Sequence, residues 1–145
     1  MEQFRFVLSR VLEWYEKEFQ LEENRLADCQ QALSKSQQSL EQVRALRLHT
    51  EQALIGSSSI AASDLRALEQ FRRRSLNDEK RLHAECDACQ TKLQAQIKAV
   101  KLAQRKVRLL EKVRERRQTE HTYAVNRELE HLAADSYLAK FNRER

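Results

Sequence analysis

The chain contains no proline and a single glycine in 145 residues. Sheets and tight turns draw on both residues, whereas a helix interior is the setting that tolerates them least. Their scarcity therefore points to long, uninterrupted helices. Aromatic residues are equally sparse at 6%, and the apolar share of 41% stands against a charged share of 34%. That is too little apolar side chain to wrap a thick globular core, and enough for a thin seam between two helices. No run of about 18 apolar residues is present, which excludes a membrane-spanning helix. The N-terminus lacks the basic segment, apolar stretch and small-residue cleavage site of an export signal, so a cytoplasmic chain is expected. Cysteine is limited to three residues, an odd number with no secretory context, and reduced thiols are the default.

What is present is charge, unevenly spread. Residues 1–63 carry 7 basic and 9 acidic side chains, and residues 64–145 carry 20 and 13. A basic second half is one mark of nucleic-acid binders and of membrane-surface helices. Here the cations alternate with Glu and Asp along most of their length, as on a solvated helix face. Neither a nucleic-acid partner nor direct membrane insertion is expected.

The one break in composition is Ile55-Gly56-Ser57-Ser58-Ser59-Ile60-Ala61-Ala62-Ser63, with the lone glycine and four serines, residues that prefer caps and turns. It divides the chain into a helix over about 2–55, a bend over about 56–63 and a helix over about 64–141. Gly56 can close the first helix in a left-handed conformation, and Ser59 or Ser63 can cap the second.

On the first helix Leu12, Phe19, Leu26, Leu33, Leu40, Arg47 and Leu54 recur every seven residues, with Leu8, Tyr15, Glu22, Cys29, Ser36, Val43 and Thr50 in the companion row. On the second, the series Leu65, Leu68, Arg72, Ser75, Glu79, Leu82, Cys86, Cys89, Leu93, Gln96, Val100, Ala103, Val107 and Leu110 is largely apolar. Beyond Leu110 the phase slips, as at a stutter. Sustained heptads predict an all-α antiparallel coiled-coil hairpin in a single domain spanning 1–145, with the second helix longer and overhanging. Folding about residue 59 or 60 brings Leu12 near Val107, Phe19 near Val100, Leu26 near Leu93 and Cys29 near Cys89. It sets Arg47 against Arg72 and Glu79 against Leu40, a poor seam near the bend, and leaves about 28 residues, roughly 40 Å, of the second helix beyond the first. At the tip, an exposed Phe71 beside Arg72, Arg73 and Arg74 is a candidate docking point, as is the alternative that Phe71 closes the seam and the arginines are solvated.

No constellation for catalysis is present: a phosphate loop needs several glycines, and a two-helix seam offers no concave site for a nucleophile, base and orienter. His49, His83, His121 and His131 are dispersed. Cys86 and Cys89, with His83 one turn earlier and Cys29 across the seam, have zinc-ligand chemistry, but a continuous helix provides no turn to converge them, and core packing is the simpler role. Neither a metal nor another cofactor is expected. The stronger signal lies at the two chain ends. Phe4, Phe6, Val7, Leu8, Val11, Leu12, Trp14 and Tyr15 cover more of the helix than one seam uses, and Tyr123, Val125, Leu129, Leu132, Tyr137, Leu138 and Phe141 repeat this at the other terminus.

The segment from Phe4 to Glu18, FRFVLSRVLEWYEKE, and the run LEKVRERR from Leu110 to Arg117 resemble the flagellar export protein FliJ family, which is similar over the whole chain in length and helical layout. Glu128 and Leu132 fit the family's C-terminal pattern, while Ala133 and Ala134 stand where Asp-Glu is usual. The resemblance implies a non-enzymatic, cytoplasmic stalk of the type III export apparatus, associated peripherally with the inner membrane. It also implies three partners: the hexameric export ATPase, the membrane-embedded export gate and free export chaperones. On that reading Phe4, Phe6, Leu8, Leu12, Trp14, Arg114, Arg117, Glu128 and Leu132 meet the ATPase, and Phe71, Arg72 and Arg73 at the tip meet another partner. The stalk of a virulence-type secretion system, a basic coiled-coil scaffold or nucleic-acid binder, and a metal-sensing hairpin remain as alternatives.

Overall fold

The computed structural model describes residues 4–57 and 59–143, with only the backbone at 143. The described chain is all α: helix α1 (Ser9–Ile55, 47 residues) and helix α2 (Ala62–Arg143, 82 residues), with no strand. Its contacts divide it into two units, one of Leu21–Lys101 and one of Met1–Gln20 with Leu102–Arg145.

Within Leu21–Lys101, the end of α1 and the start of α2 form an antiparallel pair. Gln96 Nε2 donates to the Glu22 carbonyl at 3.1 Å and to the Glu22 carboxylate. Cys89 Sγ lies 3.9 Å from Ser36 Oγ, and Arg47 Nε donates to Glu79 Oε1 at 2.7 Å. The side chains turned inward follow the heptad rows: Leu40, Ser75 and Leu82 are buried, and Leu26, Leu33, Val43, Cys86, Leu93 and Val100 are half-buried. Full burial of a leucine contributes roughly 1.5–3 kcal/mol and half-burial correspondingly less, and such contacts rather than intrinsic propensity hold helices of this kind.

Toward the bend the register differs from expectation by one to two helical turns, whereas the Glu22–Gln96 contact keeps the expected alignment. Arg47 meets Glu79 and not Arg72, and Arg72 instead approaches Glu51 at 3.7 Å. Arg44 also reaches Glu79 at 3.6 Å, and Arg47 reaches Glu51 at 3.5 Å. Sliding one helix by three or four residues exchanges its two apolar rows, so the seam is nearly indifferent to that step. Charge then decides, and this alignment replaces an arginine pair with a five-membered ion network. The hydrogen bond to Glu79 is the main cause that raises the pKa of Arg47; desolvation opposes it, and the Glu79 and Glu51 charges add smaller upward pushes. The seam near the bend is therefore ionic rather than poor. Cys89 sits opposite Ser36, about two helical turns from Cys29, which corrects the expected Cys29–Cys89 proximity.

The connection also departs from expectation. Gly56 donates its N–H to Gln52 O at 3.1 Å and has no positive φ, so α1 ends without a left-handed residue. Ser57 supplies the closing bonds, with N–H and hydroxyl both directed to Leu54 O at 3.2 and 2.8 Å. Ala61, not Ser59 or Ser63, opens α2: its carbonyl accepts from Asp64 and Leu65 N–H groups at 3.0 and 3.2 Å. Asp64 in the first turn suits the positive end of the helix. Ser58 lies outside the described residues, as does the expected start of the first helix near residue 2. Residues 4–8 are not helical.

Two measurements check this unit. Leu82→Ala lowers unfolding free energy in urea by about 2–4 kcal/mol, while Leu48→Ala on the exposed face changes it by no more than about 0.5 kcal/mol. Ser36→Cys, combined with Cys29→Ser and Cys86→Ser, forms an intramolecular disulfide with Cys89 under mild oxidation; the wild-type chain, with Cys29 and Cys89 apart, forms none between those two.

Candidate partner-binding surfaces

The unit built from Met1–Gln20 and Leu102–Arg145 carries most of the residues singled out at the chain ends. Leu8 opens α1 by accepting the Leu12 N–H at 2.9 Å, and a turn from Phe6 to Ser9 (3.1 Å) precedes it. Phe4, Phe6 and Val7 are weaker helix formers than the residues that follow. Outside the helix, Phe4 reaches the second helix, and its ring packs on His121 with centroids 5.6 Å apart. Leu12, Ala103 and Val107 are buried, Leu12 to 4% exposure, and Leu8, Tyr15, Phe19 and Leu110 are half-buried. After Leu110 the row continues through Arg114 and Gln118, both exposed along an open groove, to half-buried His121 and Val125. The two successive four-residue steps from Leu110 are the stutter that the sequence pattern requires.

Phe4, Phe6 and Leu12 face Arg114 and Gln118 across an open groove of about 490 Å³, edged by Glu13 and Glu16. The structure thus brings together four of the nine residues expected at this end: Phe4, Phe6, Leu12 and Arg114. The others are dispersed. Leu8 lies half-buried at the start of α1, and Trp14 is 59% exposed on another face, tilted against Tyr15 at 5.0 Å. Arg117 is exposed outside the groove, and Glu128 and Leu132 are exposed further along α2. Leu12 is a seam residue and offers a partner little surface.

Every described side chain from Asn126 to Asn142 is exposed, including Leu129, Leu132, Tyr137 and Leu138. This exposed stretch is shorter than the 28 residues expected, because Phe4 packs as far along α2 as His121. At the tip, in the other unit, Arg72 and Arg73 are exposed but Phe71 is half-buried, which corrects its expected exposure: Phe71 takes the inward place that the heptad pattern gave to Arg72. The tip instead exposes Ile55 and Leu65.

Lys106 was not among the expected residues. Its ammonium lies 3.6 Å from Glu18 Oε1 and 5.4 Å from the centre of the Tyr15 ring, joining α2 to α1 by an ion pair and a cation–π contact. Glu18 Oε2 is buried and accepts no hydrogen bond, so Lys106 is the cation that offsets the carboxylate. A Glu and a Lys at matched flanking positions of two heptads were the available signal.

Among the described residues no three His, Cys, Asp or Glu side chains come close enough to hold a metal ion. The three cysteines are free thiols, and His83 Nδ1 pairs with Asp87 on its own helix at 3.1 Å. No described helix is long and apolar enough to cross a membrane. No protein-family model, curated protein or solved structure matches the chain.

Lys106→Ala leaves the half-buried Glu18 without its cation, and lowers the thermal midpoint more than Lys112→Ala on the exposed face, as read by circular dichroism.

Proposed function

We propose that the chain is a stalk of a flagellar type III export apparatus, a non-enzymatic protein whose terminal unit engages the hexameric export ATPase. The observation that carries the reading is a convergence. The two segments that resemble the FliJ family, Phe4–Glu18 and Leu110–Arg117, are far apart in sequence, yet Phe4, Phe6 and Arg114 line one groove. Further along α2, Leu129, Leu132 and Leu138 are exposed on different faces, as contacts for a partner that surrounds the helix.

The mechanism is population shift. An asymmetric pair of helices inside a ring touches its subunits unequally, and each contact that differs between catalytic states biases their occupancy. The tip, with Arg72 and Arg73, is the surface for the export gate or for free export chaperones. The protein then works in the cytoplasm and reaches the inner membrane through the apparatus.

Addition of the protein to its cognate export ATPase raises ATP hydrolysis severalfold and promotes ring assembly. The triple variant Phe4→Ala, Arg114→Ala, Leu132→Ala, helical by circular dichroism, loses most of that stimulation. An ATPase indifferent to the wild-type chain in both rate and assembly would rule the stalk role out.

A further inference from the structure

The terminal unit has a second surface, separate from the groove at Phe4. The Glu18–Lys106 ion pair bridges α1 and α2 on one side of the seam, and helical spacing extends that side in both directions. Trp14 and Val11 lie four and seven residues before Glu18, on the same face of α1. Leu102, Leu109 and Val113 lie four before, three after and seven after Lys106, on the same face of α2. All five are exposed, Trp14 to 59% and Leu109 to 65%. The seam does not use them, and together they form an apolar strip two helices wide, floored by an ion pair that is already neutral.

Its borders are mainly basic. Arg10 and Lys17 stand four before and three after Trp14, on the outer edge of α1. Arg105 and Lys112 stand four before and three after Leu109, on the outer edge of α2. All four are exposed, and none makes an ion pair among the described residues. Glu13, three after Arg10 and four before Lys17, interrupts the rail of α1, though like Glu16 it also edges the other groove. An apolar strip between two basic rails selects a helix with an apolar stripe between two acidic rails, the charge pattern that fixes partners in helical bundles. A second copy of the same strip would set cation against cation.

We infer that this strip is the docking site for an amphipathic, acid-flanked helix of a partner protein, which lies along α1 and α2 as a third helix. From Leu102 to Val113 the strip runs about 17 Å, so the bound helix contributes three to four turns. A breadth of two adjacent helices matches a third helix packed at 8–10 Å from each, whereas an anionic membrane asks for a broader apolar sector. The inference stands apart from the stalk reading, since it uses neither Phe4 nor Arg114 and assigns Trp14 to a different partner.

Trp14 is the sole tryptophan, so its fluorescence reports the strip directly. The probe is a four-heptad helical peptide with leucine at both core positions, glutamate on both flanks and no aromatic residue. A lysine-flanked twin and phosphatidylglycerol vesicles complete the set. The glutamate peptide produces a saturable blue shift of Trp14 emission, and the lysine peptide binds at least tenfold more weakly. Leu109→Lys, a change at an exposed site, weakens the glutamate peptide at least tenfold. Reversal of the rails by Lys17→Glu, Arg105→Glu and Lys112→Glu inverts the preference. Equal binding of the two peptides, or none of the glutamate peptide, overturns the inference. So does a shift produced only by the vesicles, or one that appears without peptide as the chain self-associates in sedimentation.

Discussion

The structure depends on the meeting of two apolar rows, three and four residues apart, along each pair of helix segments. No described side chain is fully enclosed, and the best-buried one, Leu12, keeps 4% of its surface. A seam this thin gains its stability one layer at a time. It also leaves more than half of each helix surface outside, so the same short stretch of α1 can pack inward through Leu12 and present Trp14 outward. The economy of the seam leaves most of the surface of each helix outside it.

Because the rows repeat, the seam alone does not choose among alignments one turn apart. Polar residues within it make the choice. Arg47, Glu79, Glu51 and Arg72 interlock in one unit, and Lys106 with Glu18 does the corresponding work in the other. A single half-buried polar pair can fix register in a coiled coil at some expense of stability. Here each unit has its own.

The heptad rows, and with them the all-α fold and the identity of the inward side chains, were legible in the sequence. Leu12, Leu40, Ser75, Leu82, Ala103 and Val107, the residues that prove most enclosed, all stand in those rows. Register was not legible, since a fold about residue 59 or 60 pairs leucines almost as well one turn away; only the preference of Arg47 for Glu79 over Arg72 separates the two. Phe71 displaces Arg72 from the seam because an aromatic ring gains more from partial burial than an arginine does, a contest that a strict seven-residue count passes over. The start of α1 was misplaced because Phe4 gains more from the ring of His121 than from one more helical turn. At the candidate site, Phe4, Phe6 and Arg114 could be named from the resemblance, but the separation of Trp14 from them follows from helical phase. Lys106 was hidden among many similar lysines until its partner across the seam was known.

The segment from Gly56 to Ala61 joins α1 to α2 without any described residue in a left-handed conformation, and a methyl group on Gly56 would meet only ordinary contacts, the nearest at 3.5 Å. Nothing in its described backbone demands a particular residue. Such a connection can be lengthened or exchanged at little energetic expense. It is the natural insertion point for a reporter or an extra module, and the place where descendants of this chain are freest to diverge.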